Sequence, residues 1–183
     1  MSKVTFTLPD GSKKEYDSGV TGIDVAKSIG QRLFQATLAI KFNGVVMDAF
    51  LPLYQDGTLQ ILTFDSPEGK DIFRHSTAHV LAYAIKELYP DAKPTIGPAI
   101  EEGFYYDFDD LTVTPEDFPK IEAKMKEIVA RNEPAARIEL TLPDVKKLLG
   151  KNPYKIEMAS EFEIAGSKLS AYKMGENFVD LCR

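Results

Sequence analysis

Two short turn signals fix where the first third of the chain must reverse. Pro9-Asp10-Gly11-Ser12 follows a stretch, Val4 to Leu8, in which Val4, Phe6 and Leu8 alternate with Thr5 and Thr7. That period of two is the mark of a half-buried strand, and Lys13 to Tyr16 can pair back on it as a hairpin. Asn43-Gly44, inside "TLAIKFNGVVMDAF", is the second reversal. An Asn-Gly pair supplies the positive φ angles of a tight hairpin turn at little steric cost. Between the hairpins lies one helical segment, "TGIDVAKSIG". Thr21 is placed as its N-cap with Asp24 three residues on, Ile23, Val25, Ala26 and Ile29 form its apolar face, and Gly30 is its C-cap. A strand in "GTLQILTF" closes the unit. The order ββαβββ within residues 1–64 predicts a β-grasp sheet around one helix.

The pattern breaks at "DSPEGK", residues 65 to 70, where a domain boundary is expected. Ser66 and Pro67 then form an N-cap and N1 pair, and a helix is predicted from there to about Tyr89, ended by Pro90. Downstream, a hairpin is expected around Glu101-Glu102-Gly103. A helix is expected in "TPEDFPKIEAKMKEIVARNEP", capped by Thr114, and a short one in "LPDVKKLLG". Strands are expected in "ARIEL", "YKIEM", "KLSAYKM" and "NFVDLC". Residues 65–183 thus read as a second, α+β unit.

Composition excludes some classes of function. No apolar run approaches the ~20 residues of a bilayer span, and the alternating start is unlike a secretory leader. A single cysteine, Cys182, cannot form an internal disulfide, and a reducing cytoplasmic setting is expected. Net charge is −6, so any nucleic acid must be met through local lysines and a shaped pocket, not a broad basic field. "ENFVDLCR" reads as a strand without a polar tail, which suggests a fragment of a longer chain.

The two histidines, His75 and His79, stand four residues apart in "FRHSTAHVLAYAIKELYP". On a helix they share a face one turn apart. Leu81, Ala84, Ile85 and Leu88 form the main apolar stripe, and the histidines point well away from it, over the small Ala82. Three readings stand side by side. The rings can be ordinary polar residues, they can bind zinc, or they can orient a water and pass a proton. The zinc-protease helix motif needs glutamate after the first histidine, where this chain has Ser76, so that form is excluded. Cys182 is a third ligand, a polar wall or a small buried residue.

"HSTAHVL", "IGPAIEEGFYYDFD" and "VDLCR", behind a module beginning "VTFTLPDGS", resemble the N-terminal half of bacterial threonyl-tRNA synthetases. The resemblance covers essentially the whole chain. It implies a ubiquitin-like TGS domain over residues 1–64. For residues 65–183 it implies an α+β editing domain of the threonyl/alanyl-tRNA synthetase second-additional-domain type. Such a domain hydrolyses serine from mischarged tRNA, acting at the 3′ aminoacylated adenosine. Carried over by position, His75, His79, Lys155, Asp180 and Cys182 are implied as catalytic. Tyr106 is implied to stack on adenine or to wall off threonine's extra methyl, and the groove over Ala82 to admit the adenosine. No metal is implied as required. If zinc binds, His75, His79 and Cys182 are its ligands, and the family's next histidine, in a GPH stretch, has no counterpart here. ATP, magnesium and zinc of aminoacylation, and pairing into a homodimer, are implied to belong to a class II catalytic domain outside this sequence. Two other readings remain: a non-catalytic TGS-type module that binds RNA or the ribosome, and a zinc-dependent aminoacyl-tRNA hydrolase. Lys13, Lys14, Lys27, Arg32 and Lys41 are scattered and are assigned no site.

Overall fold

A computed structural model describes residues 2–182. Arg183, the final letter of the "VDLCR" stretch, lies outside the described residues. The chain divides between Arg74 and His75 into two compact units.

The first unit is built as the turn signals require. Strands β1 (Lys3–Thr7) and β2 (Lys13–Asp17) form the first hairpin. A two-residue strand β3 (Val20–Thr21) leads into α1 (Gly22–Ile29), followed by α2 (Gln31–Ala36), β4 (Ala39–Phe42), β5 (Val45–Met47), β6 (Pro52–Leu53) and β7 (Gly57–Leu62). The sheet order is β2-β1-β7-β4-β5, with β1 and β7 parallel and the other pairs antiparallel. Asn43 and Gly44 both take positive φ at the second turn, 49° and 82°, as a tight Asn-Gly reversal demands. Thr21 caps α1 with the reciprocal Asp24 bond of a capping box. Val25 of α1 packs with Val4, Phe6, Ile40 and Leu59 of the sheet, so the helix lies on the sheet's apolar face, the β-grasp arrangement. The short α2 has no start signal of its own in the sequence, because Gly30 ends α1 and begins the next helix at one residue.

Helix α3 (Pro67–Leu88) starts where Ser66 and Pro67 place it: the Ser66 hydroxyl accepts the Gly69 N–H at 3.0 Å. The unit boundary falls about two turns inside α3 and not at residue 65. The first turns of α3 join the first unit because Lys41 pairs with Glu68 at 2.9 Å and Phe64 packs edge-on against Phe73.

The second unit continues with β8 (Lys93–Pro94), β9 (Ala99–Ile100), β10 (Gly103–Phe104), β11 (Phe108–Asp109), a 3-10 turn at Pro115–Asp117, and α4 (Phe118–Ala130). Then come β12 (Ala135–Leu140), α5 (Leu142–Leu149), α6 (Pro153–Ile164), β13 (Leu169–Met174) and β14 (Phe178–Cys182). β12, β13 and β14 make an antiparallel sheet in that order. The hairpin at Glu101-Glu102 forms between β9 and β10.

Two expectations are corrected here. "YKIEM" is not a strand but the first turns of α6. Asn152 caps the helix by accepting the Tyr154 N–H at 3.1 Å, and Pro153 takes N1. Ala82 does not floor an open groove. It is fully buried and packs with Tyr83, Ala84, Ile128 and Phe178. α3 is covered on more than one side, since Ala78, His79, Ala82, Tyr83, Ala84 and Ile85 are all buried.

Candidate functional site

The antiparallel register of β13 and β14 sets the site. In β14, Phe178, Asp180 and Cys182 fall on one side of the strand by alternation. Phe178 stacks on Tyr83 of α3 at 4.8 Å, which seats the strand against the helix. Asp180 and Cys182 then meet the helix one and two turns further toward its N-terminus, where His79 and His75 lie. His75 Nε2 stands 3.0 Å from Cys182 Sγ, and His79 Nε2 stands 3.1 Å from His75 Nε2. The other nitrogen of His79, Nδ1, contacts Asp180 Oδ2 at 2.9 Å. Three ligand-type atoms therefore converge, with a carboxylate behind one ring.

Behind them lies a second layer. Asp180 accepts from Tyr106 Oη at 2.6 Å, and its other oxygen pairs with Lys155 Nζ at 2.7 Å. Lys155 also donates to Tyr106 Oη at 3.2 Å. Lys155 is only 3% exposed and Asp180 only 2%. A buried ion pair of this kind holds because each charge meets the other and further hydrogen bonds satisfy what remains.

The electrostatics follow from these contacts. Burial disfavours the Asp180 carboxylate, but the hydrogen bond from His79 and the charge of Lys155 outweigh it and hold the group well below the usual carboxylate range. For His79, burial favours the neutral ring. The bonds and charges of Asp180 and Cys182 overcome that and raise it to about 9. Burial pushes the Cys182 thiol up, while hydrogen bonds from His75 and His79 bring it down to about 6. Tyr106 is held far above the ordinary phenol value by burial and by the Asp180 charge, so its hydroxyl stays a donor. His79 thus sits between the Asp180 carboxylate on one side and the His75–Cys182 pair on the other. His79 and Cys182 are buried, and His75, half-buried, is the member that opens outward.

His75, His79, Asp180, Cys182, Lys155 and Tyr106 are therefore brought together, and Ala82 is not. Lys155 arrives from a helix instead of a strand. Two further residues serve the site that sequence reasoning passed over. Gly97 lies against the Tyr106 ring, where a Cβ would overlap the ring carbons, so only glycine lets the ring settle. Ser170, 2% exposed on β13, donates to the Cys182 carbonyl at 2.8 Å and fixes the end of β14. Glycine in "IGPAIEEG" was a readable signal, whereas Ser170 carried none.

The three converging atoms also fit a metal. His75 Nε2, His79 Nε2 and Cys182 Sγ lie within 4.8 Å of one another, and imidazole with thiolate is a donor set that suits zinc. Asp180 on the Nδ1 of His79 is the outer partner that such ligands usually have. Ligand atoms around a tetrahedral zinc stand about 3.3–3.6 Å apart, so the observed contacts of 3.0 and 3.1 Å are those of direct hydrogen bonds and would open by a few tenths of an ångström around an ion.

Known proteins match the chain over its whole length. Residues 4–63 match the TGS domain family. Over 182 residues, 98% of the chain, it is 43% identical to threonine–tRNA ligase of Streptococcus uberis and 44% identical to that of Enterococcus faecalis. It is 46% identical over its full length to threonine–tRNA ligase of Pelobacter propionicus. The chain spans about 28–29% of the length of these relatives. Residues 4–63 are thus a TGS domain, and the chain from one end to the other is homologous to a stretch of bacterial threonine–tRNA ligases.

Proposed function

We propose that residues 65–183 form an editing domain of the threonyl/alanyl-tRNA synthetase type, which removes serine from tRNA mischarged in place of threonine. Residues 1–64 form the TGS unit ahead of it. The observation that carries this reading is the convergence of His75, His79 and Cys182 over a buried Asp180–Lys155 pair, in a chain whose relatives charge tRNA with threonine. Serine and threonine differ by one methyl, so a pocket selects between them by only about 10–200-fold, and a second, hydrolytic site that rejects threonine by steric overlap supplies the rest.

In this reading the aminoacyl ester meets the centre on the open side of His75. A water held there attacks the carbonyl carbon, and its proton passes to the imidazole–thiolate cluster. The proton is then returned to the ribose oxygen as the ester bond breaks, leaving free serine and tRNA. Asp180 fixes the tautomer and tilt of His79 through Nδ1. Lys155 and Tyr106 act through Asp180, because their polar atoms are already engaged there, and we count them as positioning residues. ATP, magnesium and aminoacyl transfer belong, in this proposal, to the part of the relatives that this chain does not span, as does pairing into a homodimer. A cytoplasmic setting is proposed with the same relatives in view. No helix among the described residues is long and apolar enough to cross a membrane.

The test is loss of ester from seryl-tRNA and threonyl-tRNA incubated with the chain, repeated with His75→Ala and His79→Ala. Faster loss of serine that vanishes in both variants supports editing. Equal background loss throughout leaves a non-catalytic TGS-type module that binds RNA or the ribosome. One specific observation favours a second reading, a zinc-dependent aminoacyl-tRNA hydrolase: the ligand-like triangle of His75, His79 and Cys182. Zinc there would lower the pKa of a bound water and polarise the ester carbonyl. Zinc content after purification without added metal, and its disappearance in Cys182→Ser, decides between the two.

A further inference from the structure

Asn43-Gly44, the sequence's only Asn-Gly pair, is exposed at the tip of the β4–β5 hairpin. An asparagine followed by glycine is open to a self-reaction in water. The Gly44 nitrogen, with no side chain beside it, attacks Asn43 Cγ. The Cγ–Nδ2 bond breaks, and ammonia leaves with the proton of the Gly44 N–H. Water then opens the resulting cyclic imide at either carbonyl. Opening at the side-chain carbonyl gives aspartate. Opening at the main-chain carbonyl gives isoaspartate, whose main chain runs through the side chain and is longer by a methylene.

The folded hairpin holds the reacting atoms apart. Asn43 has φ 49°. In that left-handed region ψ is about +47°, which turns the Gly44 nitrogen to the side of the Cα–C bond opposite Cβ. The side chain is held as well. Asn43 Oδ1 accepts the Thr58 N–H at 2.8 Å, while the Asn43 N–H donates to the Thr58 carbonyl at 2.9 Å. The Asn43 amide lies so close over Gly57 that a Cβ there would fall 2.4 Å from Oδ1. The hold is local. β5 is the outermost strand of the sheet, pairs among the described residues only with β4, and exposes Val45 and Val46. An edge element of this kind opens at a lower free energy than the core.

We propose that Asn43-Gly44 is a modification site of the first unit, closed while the β4–β5 hairpin is paired and converted to aspartate or isoaspartate, with ammonia lost and water added, when the hairpin opens. Loss of ammonia makes the step one-way, so the site accumulates a record of edge opening. The two products differ on reclosure. Aspartate keeps an oxygen for the Thr58 N–H. Isoaspartate lengthens a tight turn that sets the Phe42–Val45 register, so β5 no longer pairs as before. The proposal concerns the first unit alone and does not rest on the editing reading.

The experiment incubates the full chain in warm, mildly alkaline buffer and follows, by mass spectrometry of the tryptic peptide that begins at Phe42, the gain of a single mass unit at Asn43. Separation of the modified peptides tells isoaspartate from aspartate. A synthetic peptide spanning β4 and β5, which has no β7 to hold it, gives the unprotected rate. Two variants remove buried side chains: Leu59→Ala beside the hairpin in the first unit, and Val145→Ala in the second. Folded wild type should react at least about tenfold more slowly than the peptide, the protection that even a shallow opening equilibrium gives. Urea that unfolds the first unit should bring the rate to that of the peptide. Leu59→Ala should react several-fold faster than wild type, and Val145→Ala should match wild type. A folded rate equal to that of the peptide overturns the proposal, because the turn would then not close the site. Absence of the mass gain in the urea-unfolded chain overturns the site itself, and equal acceleration in Leu59→Ala and Val145→Ala overturns control by the hairpin.

Discussion

Replacing Asp180 with asparagine removes one negative charge from a position where three donors converge. His79 Nδ1, Tyr106 Oη and Lys155 Nζ all lie within 2.9 Å of its oxygens. Asparagine keeps the shape but leaves Lys155, 3% exposed, without its counter-charge. Breaking a buried pair from one side costs about 3–5 kcal/mol, a large part of the ~5–15 kcal/mol that holds an ordinary domain. Cys182 is the chain's only cysteine and is buried in the second unit, so its alkylation against urea locates that unit's unfolding. The Asp180→Asn midpoint should fall markedly below wild type at pH 6. The dependence on pH adds a second check. The Asp180 pKa is depressed in the fold, so its contribution is present above the unfolded value near 3.9 and is lost as pH falls through and below it. The His79 pKa is raised, so its contribution is complete below 6.5, declines from there and is gone above about 9. That shift corresponds to about 3 kcal/mol. Over the same window the lowered Cys182 thiol contributes with the opposite sign, so wild type should change little between pH 6.5 and 9, whereas Asp180→Asn, in which the His79 ring loses the carboxylate that raises it, should gain stability with pH. A change under about 1 kcal/mol at pH 6, or parallel alkaline limbs, would refute the account of the Asp180 cluster.

Gly97→Ala should lower the melting temperature by displacing the Tyr106 ring, with an overpacking cost of about 1–3 kcal/mol. Gly97→Ala combined with Tyr106→Ala should recover part of that deficit, and additive effects would count against the contact. Ala82→Leu should destabilise the second unit by a similar amount through overpacking. If Ala82→Leu left stability intact and altered only ester hydrolysis, an open groove at that position would have to be restored. Ser170→Ala should leave the Cys182 carbonyl without its donor and speed hydrogen exchange at the end of β14, with global stability lowered by about 1 kcal/mol.

The first unit was legible nearly strand by strand, because Pro9-Asp10-Gly11 and Asn43-Gly44 are turns with few alternatives and β1 alternates apolar with polar residues. The pairing of His75 with His79 was legible from helical spacing alone. The partners were not: Asp180 and Cys182 lie 101 and 107 residues away from the histidines they touch, and only the likeness to a known family pointed to them. "YKIEM" misled because Tyr154, Ile156 and Met158 alternate over five residues, too short a window to separate a period of two from 3.6. The Asn152-Pro153 cap and start pair just upstream was the better guide. Ala82 misled for another reason. A helical wheel assumes one buried stripe, whereas α3 is enclosed by α4 residues on one side and β14 on another, so even its histidine face points inward.

The distance along the chain between α3 and β14 bears on how the protein is made. A ribosome releases His79 about a hundred residues before Asp180, so the helix must wait with a polar ring on a surface that will become interior. Until β14 emerges and zips onto β13, neither the ring nor Lys155 on α6 has the carboxylate that neutralises it. Closure of the centre is then a late step in the folding of the second unit, and a nascent chain stalled before residue 180 would leave the alanine and tyrosine flank of that helix uncovered by β14.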